Sequence, residues 1–229
     1  MKVKWFPALA AALALLFVGS VCQATPLAPG TMVVPSAEAG LPAGGYADGP
    51  TSIAITGTNA LGQIRFTGTL TFAVYRESAT GFLDFLYQYH NNASSRDPIE
   101  HVSSTDFSGN FTDVTHLTAA PPAGFVLGTV VPPSASRSPG DGGVVSFDFP
   151  TPGSVLPGRT TQVLVIHTHA TDFVDGTTSI IDGAVDTHIT RSPRNGPEPA
   201  TLTLFGGGLL GLAGFCGRRW WKQSPPAAN

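Results

Sequence analysis

Charge is scarce in this sequence. Only 12% of its 229 residues are Asp, Glu, Lys or Arg, about half the share of an ordinary soluble domain. That shortage excludes a chain kept disordered by its own charge. Lysine is rarer still, with Lys2, Lys4 and Lys222 all in the end segments. Between Thr25 and Gly196 stand seven arginines against fourteen acidic residues, a formal charge of −7. An acidic, lysine-free surface repels phosphates, so nucleic acid is excluded as a partner. The two cysteines, Cys22 and Cys216, also lie near the ends. No disulfide can form within the middle, and an apolar core must hold it together; about 170 residues suffice for one. No convincing amphipathic helix and no obvious internal repeat occur.

Both ends are built for membranes. Met1–Lys4 carries two positive charges, an Ala/Leu-rich apolar run covers 5–21, and Val21-Cys22-Gln23-Ala24 follows. This is a signal-peptide layout, with small residues at 22 and 24 placing signal-peptidase cleavage after Ala24. Near the other end, residues 200–217 hold no charge. As a helix they would span roughly 27 Å, enough for a bilayer core. Arg218, Arg219 and Lys222 follow, with Trp220 and Trp221 among them. Such a cluster keeps its end in the cytoplasm, and tryptophans suit the interface. The expected topology is an exported bulk with a transmembrane stop at Arg218, Arg219 and Lys222.

Directly before the apolar span stands Pro197-Glu198-Pro199. Its two prolines hold the chain extended and keep it out of helix or sheet, the form a protease-like active site accepts. The tripeptide, the Gly/Leu-rich span and the basic cluster, in that order, resemble the PEP-CTERM sorting signal. The resemblance covers roughly residues 196–222. It implies recognition by an exosortase-type processing enzyme, an integral-membrane cysteine transpeptidase-like protein of Gram-negative bacteria that make exopolysaccharide. It also implies a membrane-anchored precursor that is processed and ends at the cell surface or outside the cell.

The middle reads as all-β. Ile64, Phe66, Leu70, Phe72 and Val74 alternate with Arg65, Thr67, Thr69 and Thr71, a long half-buried strand with a possible kink at Gly68. After a turn at 77–81, residues 82–89 complete a hairpin. Further strands are expected near 52–57, 99–105, 111–117, 125–131, 144–149, 161–170 and 184–190. Short strands with one-sided alternation predict an antiparallel β-sandwich. The layout is then a signal peptide at 1–24, a Pro/Gly-rich lead-in at 25–50, a β-sandwich domain at 51–191 and a linker at 192–196. The sorting signal occupies 197–222, with its transmembrane helix at about 200–217, and a tail covers 223–229. The phrases Gly68-Thr69-Leu70, Val74-Tyr75-Arg76, 83–88 and Ile181-Asp182-Gly183 resemble β-sandwich ectodomains that precede this sorting tail, which supports the fold and implies no activity.

Chemistry in the middle is sparse. His167 and His169 stand two apart on an expected strand, so both imidazoles could face one metal ion, with Asp172, Asp175 or His188 adding ligands. The plainer reading is a solvated strand face beside Val163 and Val165. Asp172, Asp175 and Asp182 near glycines read as turn formers. No Gly-x-Ser-x-Gly elbow occurs, and the mature part has no cysteine once the tail is removed. Tyr75, Tyr87 and Tyr89 could stack on sugars, but their strand spacing favours packing. The expectation is a non-enzymatic envelope or extracellular-matrix protein without cofactor, associated with exopolysaccharide or biofilm. The alternatives are a carbohydrate-binding module and a secreted metal-dependent hydrolase.

Overall fold

The computed structural model describes residues 24–194. The rest of the leader, Pro197, Glu198, Pro199, the apolar span and the basic cluster lie outside these residues; Ala24 is the first one described. Thirteen strands form: β1 Thr25–Pro26, β2 Met32–Val33, β3 Ser36–Glu38, β4 Gly44–Thr58, β5 Ile64–Glu77, β6 Leu83–Asn91, β7 His101–Ser104, β8 Thr112–Leu117, β9 Ser134–Arg137, β10 Val145–Asp148, β11 Val163–Thr168, β12 Phe173–Ile181 and β13 Val185–Pro193. Among the described residues there is no helix.

All-β, antiparallel architecture is as expected. The two sheets of the expected sandwich are, however, joined into one path, β1-β8-β11-β6-β5-β4-β13-β12-β7-β10-β9-β2, with β3 paired in parallel alongside β8. The path curls round its core into a nearly closed, barrel-like sheet. Its thinnest join is β4 to β13, which share the single pair Val185↔Thr58. Its two ends, β1 and β2, are separated only by residues 27–31.

A buried arginine ties those ends together. Arg137, on β9, is 6% exposed. Its Nε donates to the Gly142 carbonyl at 2.7 Å, Nη1 to Thr112 Oγ1 at 2.8 Å and to the Leu27 carbonyl at 3.3 Å, and Nη2 to the Phe107 and Asn110 carbonyls, both at 2.8 Å. Five planar donors suit five acceptors converging from three chain segments. Beside it, the Gly30 amide donates to the Arg137 carbonyl at 3.1 Å and the Leu27 amide to that of Thr112 at 2.9 Å.

The β5–β6 hairpin follows its sequence pattern. Phe66, Leu70, Phe72 and Val74 point inward from β5, and Leu83, Phe85, Tyr87 and Tyr89 from β6. They meet Val102, Ala135, Phe147 and Ile180 from the other half of the path in one core. Gly68 causes no kink: Ile55, Gly68 and Asn91 stand in regular register. A Cβ there would lie 2.0 Å from the His90 carbonyl oxygen, so glycine permits close strand approach. The irregularities fall instead in β4, at Tyr46/Asp48, Asp48/Thr51 and Gly57/Thr58.

The Pro/Gly-rich lead-in, expected to be extended with early edge structure, contributes β1, β2, β3 and the start of β4, with β1 and β2 at the two edges of the path. Two expectations needed changing. The expected strand at 125–131 is reduced to one bridge, Val130↔Thr161. Strands β9 and β12 were not expected at all. A second, smaller apolar cluster lies on the outer side of the sheet, where Ala73, Leu86, Val163 and Val165 pack under Leu41, Tyr46 and Phe125.

Candidate functional site

Strand β11 reads Val-Leu-Val-Ile-His-Thr. Leu164 and Ile166 enter the main core, while Val163 and Val165 belong to the outer cluster. Period-two alternation therefore sends His167 to the outer side as well. The register sets it between two carboxylates: His167 is opposite Asp84 on β6 and opposite Asp113 on β8. Parallel pairing of β3 with β8 brings Glu38 to the same place.

The resulting group is tight. His167 Nδ1 lies 2.9 Å from Asp84 Oδ1. Its Nε2 lies 3.0 Å from Thr115 Oγ1 and 3.4 Å from Glu38 Oε2. The Thr115 hydroxyl donates to Glu38 Oε2 at 3.0 Å. Glu77, at the end of β5, completes the cluster: among the described residues, one ligand atom each of Glu77, Asp84 and His167 lie within 4.8 Å of one another. Asp84 is 0% exposed, and its Oδ2 has no hydrogen-bond partner.

Burial by itself would lower the His167 pKa, but hydrogen bonds to Asp84 and Glu38, with their charges, outweigh it and hold the pKa up at about 10. The ring is an imidazolium at neutral pH. Burial pushes the Asp84 carboxyl up, against the pull of His167. Burial also raises Asp113, against the fields of His167 and His169; its Oδ1 is likewise buried without a partner.

Thr115, His167 and Asp84 have the connectivity of a hydroxyl–imidazole–carboxylate triad. Two observations oppose that chemistry. An imidazolium has no lone pair with which to take a proton from the hydroxyl. Thr115 is 1% exposed, in the middle of β8 and beyond reach of a substrate.

His169 does not join His167. It follows the end of β11 and is stacked between Phe82 and Phe111, with ring centroids 4.7 and 4.4 Å away. Asp172 pairs with Arg194 at 2.7 Å, Asp175 pairs with Arg191, and His188 Nε2 lies 2.8 Å from Asp186 Oδ2. These expected co-ligands are thus engaged elsewhere. Glu38, Glu77, Asp84, Asp113 and Thr115 were missed. Asp84 alone had a sequence signal, as one carboxylate inside the apolar run 82–89.

The tyrosines are packing residues. Tyr87 and Tyr89 are buried in the core. Tyr75 meets Tyr46 edge-on at 6.0 Å and donates its hydroxyl to the Pro42 carbonyl at 2.9 Å. A polar groove of about 510 Å³ does open at the β5 start, lined by Gln63, Arg65, Thr67, Ser94, Ser95 and Arg96 among others. Arg65 is held there by Asp97, with Nε 2.5 Å from Oδ2 and Nη2 3.0 Å from Oδ1.

Outside the described residues, positions 197–219 match the PEP-CTERM protein-sorting motif. The match begins at the Pro-Glu-Pro tripeptide and ends at Arg219. No curated protein and no solved structure matches the chain.

Proposed function

We propose that this chain, an exported protein carrying a PEP-CTERM sorting motif, is cut at that motif by an exosortase-type enzyme of a Gram-negative bacterium. The β domain then serves, without catalysing a reaction, at the cell surface or in the extracellular matrix in association with exopolysaccharide. The observation that carries the reading is the motif's placement. Among the described residues the last strand ends at Pro193, and Pro197 follows four positions later in the sequence. Two prolines flanking Glu198 disfavour helix and sheet, which suits the extended backbone a processing enzyme accepts. The leader at 1–24 and the apolar span at 200–217 are part of the same proposal, supplying export and a temporary anchor.

A non-catalytic role is supported by the triad-like group, whose Thr115 hydroxyl is buried in the middle of β8 out of reach of a substrate. Contact with polysaccharide is supported by the groove at Arg65 and Arg96, where hydroxyls, an amide and guanidinium groups line one open surface.

The test replaces Pro197, Glu198 and Pro199 by alanine in the full chain and follows it by cell fractionation. The variant is expected to stay membrane-held and uncleaved while the wild type matures. Normal maturation of the variant would refute processing at this motif. Sedimentation of the wild type with the host's own exopolysaccharide tests the second half; no enrichment over an acidic control protein would refute it.

A further inference from the structure

The Glu77, Asp84 and His167 cluster does not contribute to the sorting reading, and its composition is unusual for an outer sheet face. Three carboxyl groups, from Glu38, Glu77 and Asp84, surround one imidazole. Asp84 is buried from solvent yet leaves Oδ2 unpartnered, which costs free energy unless something occupies it. Carboxylate–imidazole sets of this kind bind borderline divalent ions.

We propose that Glu77, Asp84 and His167 form a binding site for one divalent transition-metal ion of the zinc type. His167 Nδ1, facing Asp84, is the ring ligand. Its proton passes to solvent as the ion takes its place. Nε2 then keeps its proton and donates it toward Thr115 and Glu38, which lie at 3.0 and 3.4 Å. A metal-bound histidine commonly has such an outer partner, which fixes the ring and its tautomer. One dication also balances Asp84 and Glu77, where a single imidazolium does not. The fold supports the geometry, because β6 and β11 are adjacent and in register at this pair. The ion would tie the end of β5 to β6 and β11, and through Glu38 to the lead-in segment.

The test is Zn²⁺ titration, by calorimetry and by competition with a chromogenic chelator, of the exported full chain purified without an affinity tag. One ion per chain is expected. Glu77→Gln is the informative variant, because Glu77 is only half-buried and the hydrogen bond it accepts comes from the Thr80 hydroxyl. It should retain the wild-type circular dichroism and lose the stoichiometric site. Glu38→Gln should keep the stoichiometry and bind about 10- to 100-fold more weakly, as outer-partner changes do. The proposal is overturned if the wild type binds no Zn²⁺, or if folded Glu77→Gln binds it as the wild type does. Neither result depends on whether the Pro-Glu-Pro tripeptide is processed.

Discussion

Strands β5, β6 and β11 fill the core with hydrocarbon, whereas β7, β12 and β13 turn hydroxyls as well as side-chain methyls inward. On the first side stand Phe66, Leu70, Phe72, Phe85, Leu164 and Ile166. On the second, Ser104 Oγ lies 3.0 Å from Thr178 Oγ1, which lies 2.9 Å from Thr190 Oγ1, and all three residues are buried. The halves meet at Tyr87. Its ring belongs to the hydrocarbon side, and its hydroxyl donates to the Arg191 carbonyl of β13 at 2.9 Å. Burial raises the Tyr87 pKa to about 12, against the lowering effect of Ser104, Thr190 and Thr178. A Thr and a Val have nearly the same shape, so a sheet can bury either, provided each hydroxyl finds a partner. With no cysteine in the middle, the chain obtains a second packing face from a hydroxyl network rather than from covalent ties.

This contrast can be broken from either side. The largest effect is expected from Phe85→Ala, which empties a site where Phe85 meets Phe107 edge-on at 5.6 Å. It should cost about 3–5 kcal/mol in urea unfolding of the exported protein. A loss below that of Thr178→Val would contradict the assignment of the hydrocarbon side as the dominant core. Thr178→Val keeps the shape and removes the hydroxyl that links Ser104 to Thr190. It should cost about 1–3 kcal/mol, and an unchanged or raised stability would mean that the hydroxyl row contributes nothing.

The smallest effect concerns the polar exception on the hydrocarbon half's own outer face. There Asp84, Glu38, Glu77, Asp113 and Thr115 surround His167. The folded pKa of about 10 exceeds the unfolded value of roughly 6.5, so the folded chain holds the extra proton. The contribution is therefore complete below pH 6.5 and is lost as pH rises toward 10. The raised Asp84 pKa acts in the same direction, at lower pH. With chelator present, stability should fall by roughly 1 kcal/mol per pH unit between pH 7 and 9, and His167→Gln should flatten that slope. A wild-type stability that is flat or rising across this range would contradict the charged imidazole.

The same contrast explains what could be read from the chain alone. The β5–β6 hairpin is legible because its alternation pits Phe, Leu and Val against Arg and Thr. Strand β12, Phe-Val-Asp-Gly-Thr-Thr-Ser-Ile-Ile, hides its buried face in Gly176 and Thr178, residues that read as surface or turn. A Cβ at Gly176 would lie 2.6 Å from the Ser192 side chain, so even its glycine is a packing choice. The segment 125–131 misleads in the opposite way, since its Val126 and Leu127 are exposed despite an apolar pattern. His167 was visible through its strand position, but its partners depend on register between β3, β6, β8 and β11, which no local pattern encodes. Arg137 was equally silent, because its acceptors are backbone carbonyls. The sorting motif was legible almost to its ends because it is linear: a tripeptide, an apolar run and a basic cluster need no tertiary context.

That linear signal carries the account of where the protein goes, and the intact mass of the mature protein recovered from cells tests it most directly. The mature chain is expected to begin at Thr25 and end close to the Pro-Glu-Pro tripeptide, without Arg218, Arg219 and Lys222. A mature mass that still includes the apolar run and the sequence through Asn229 would contradict it.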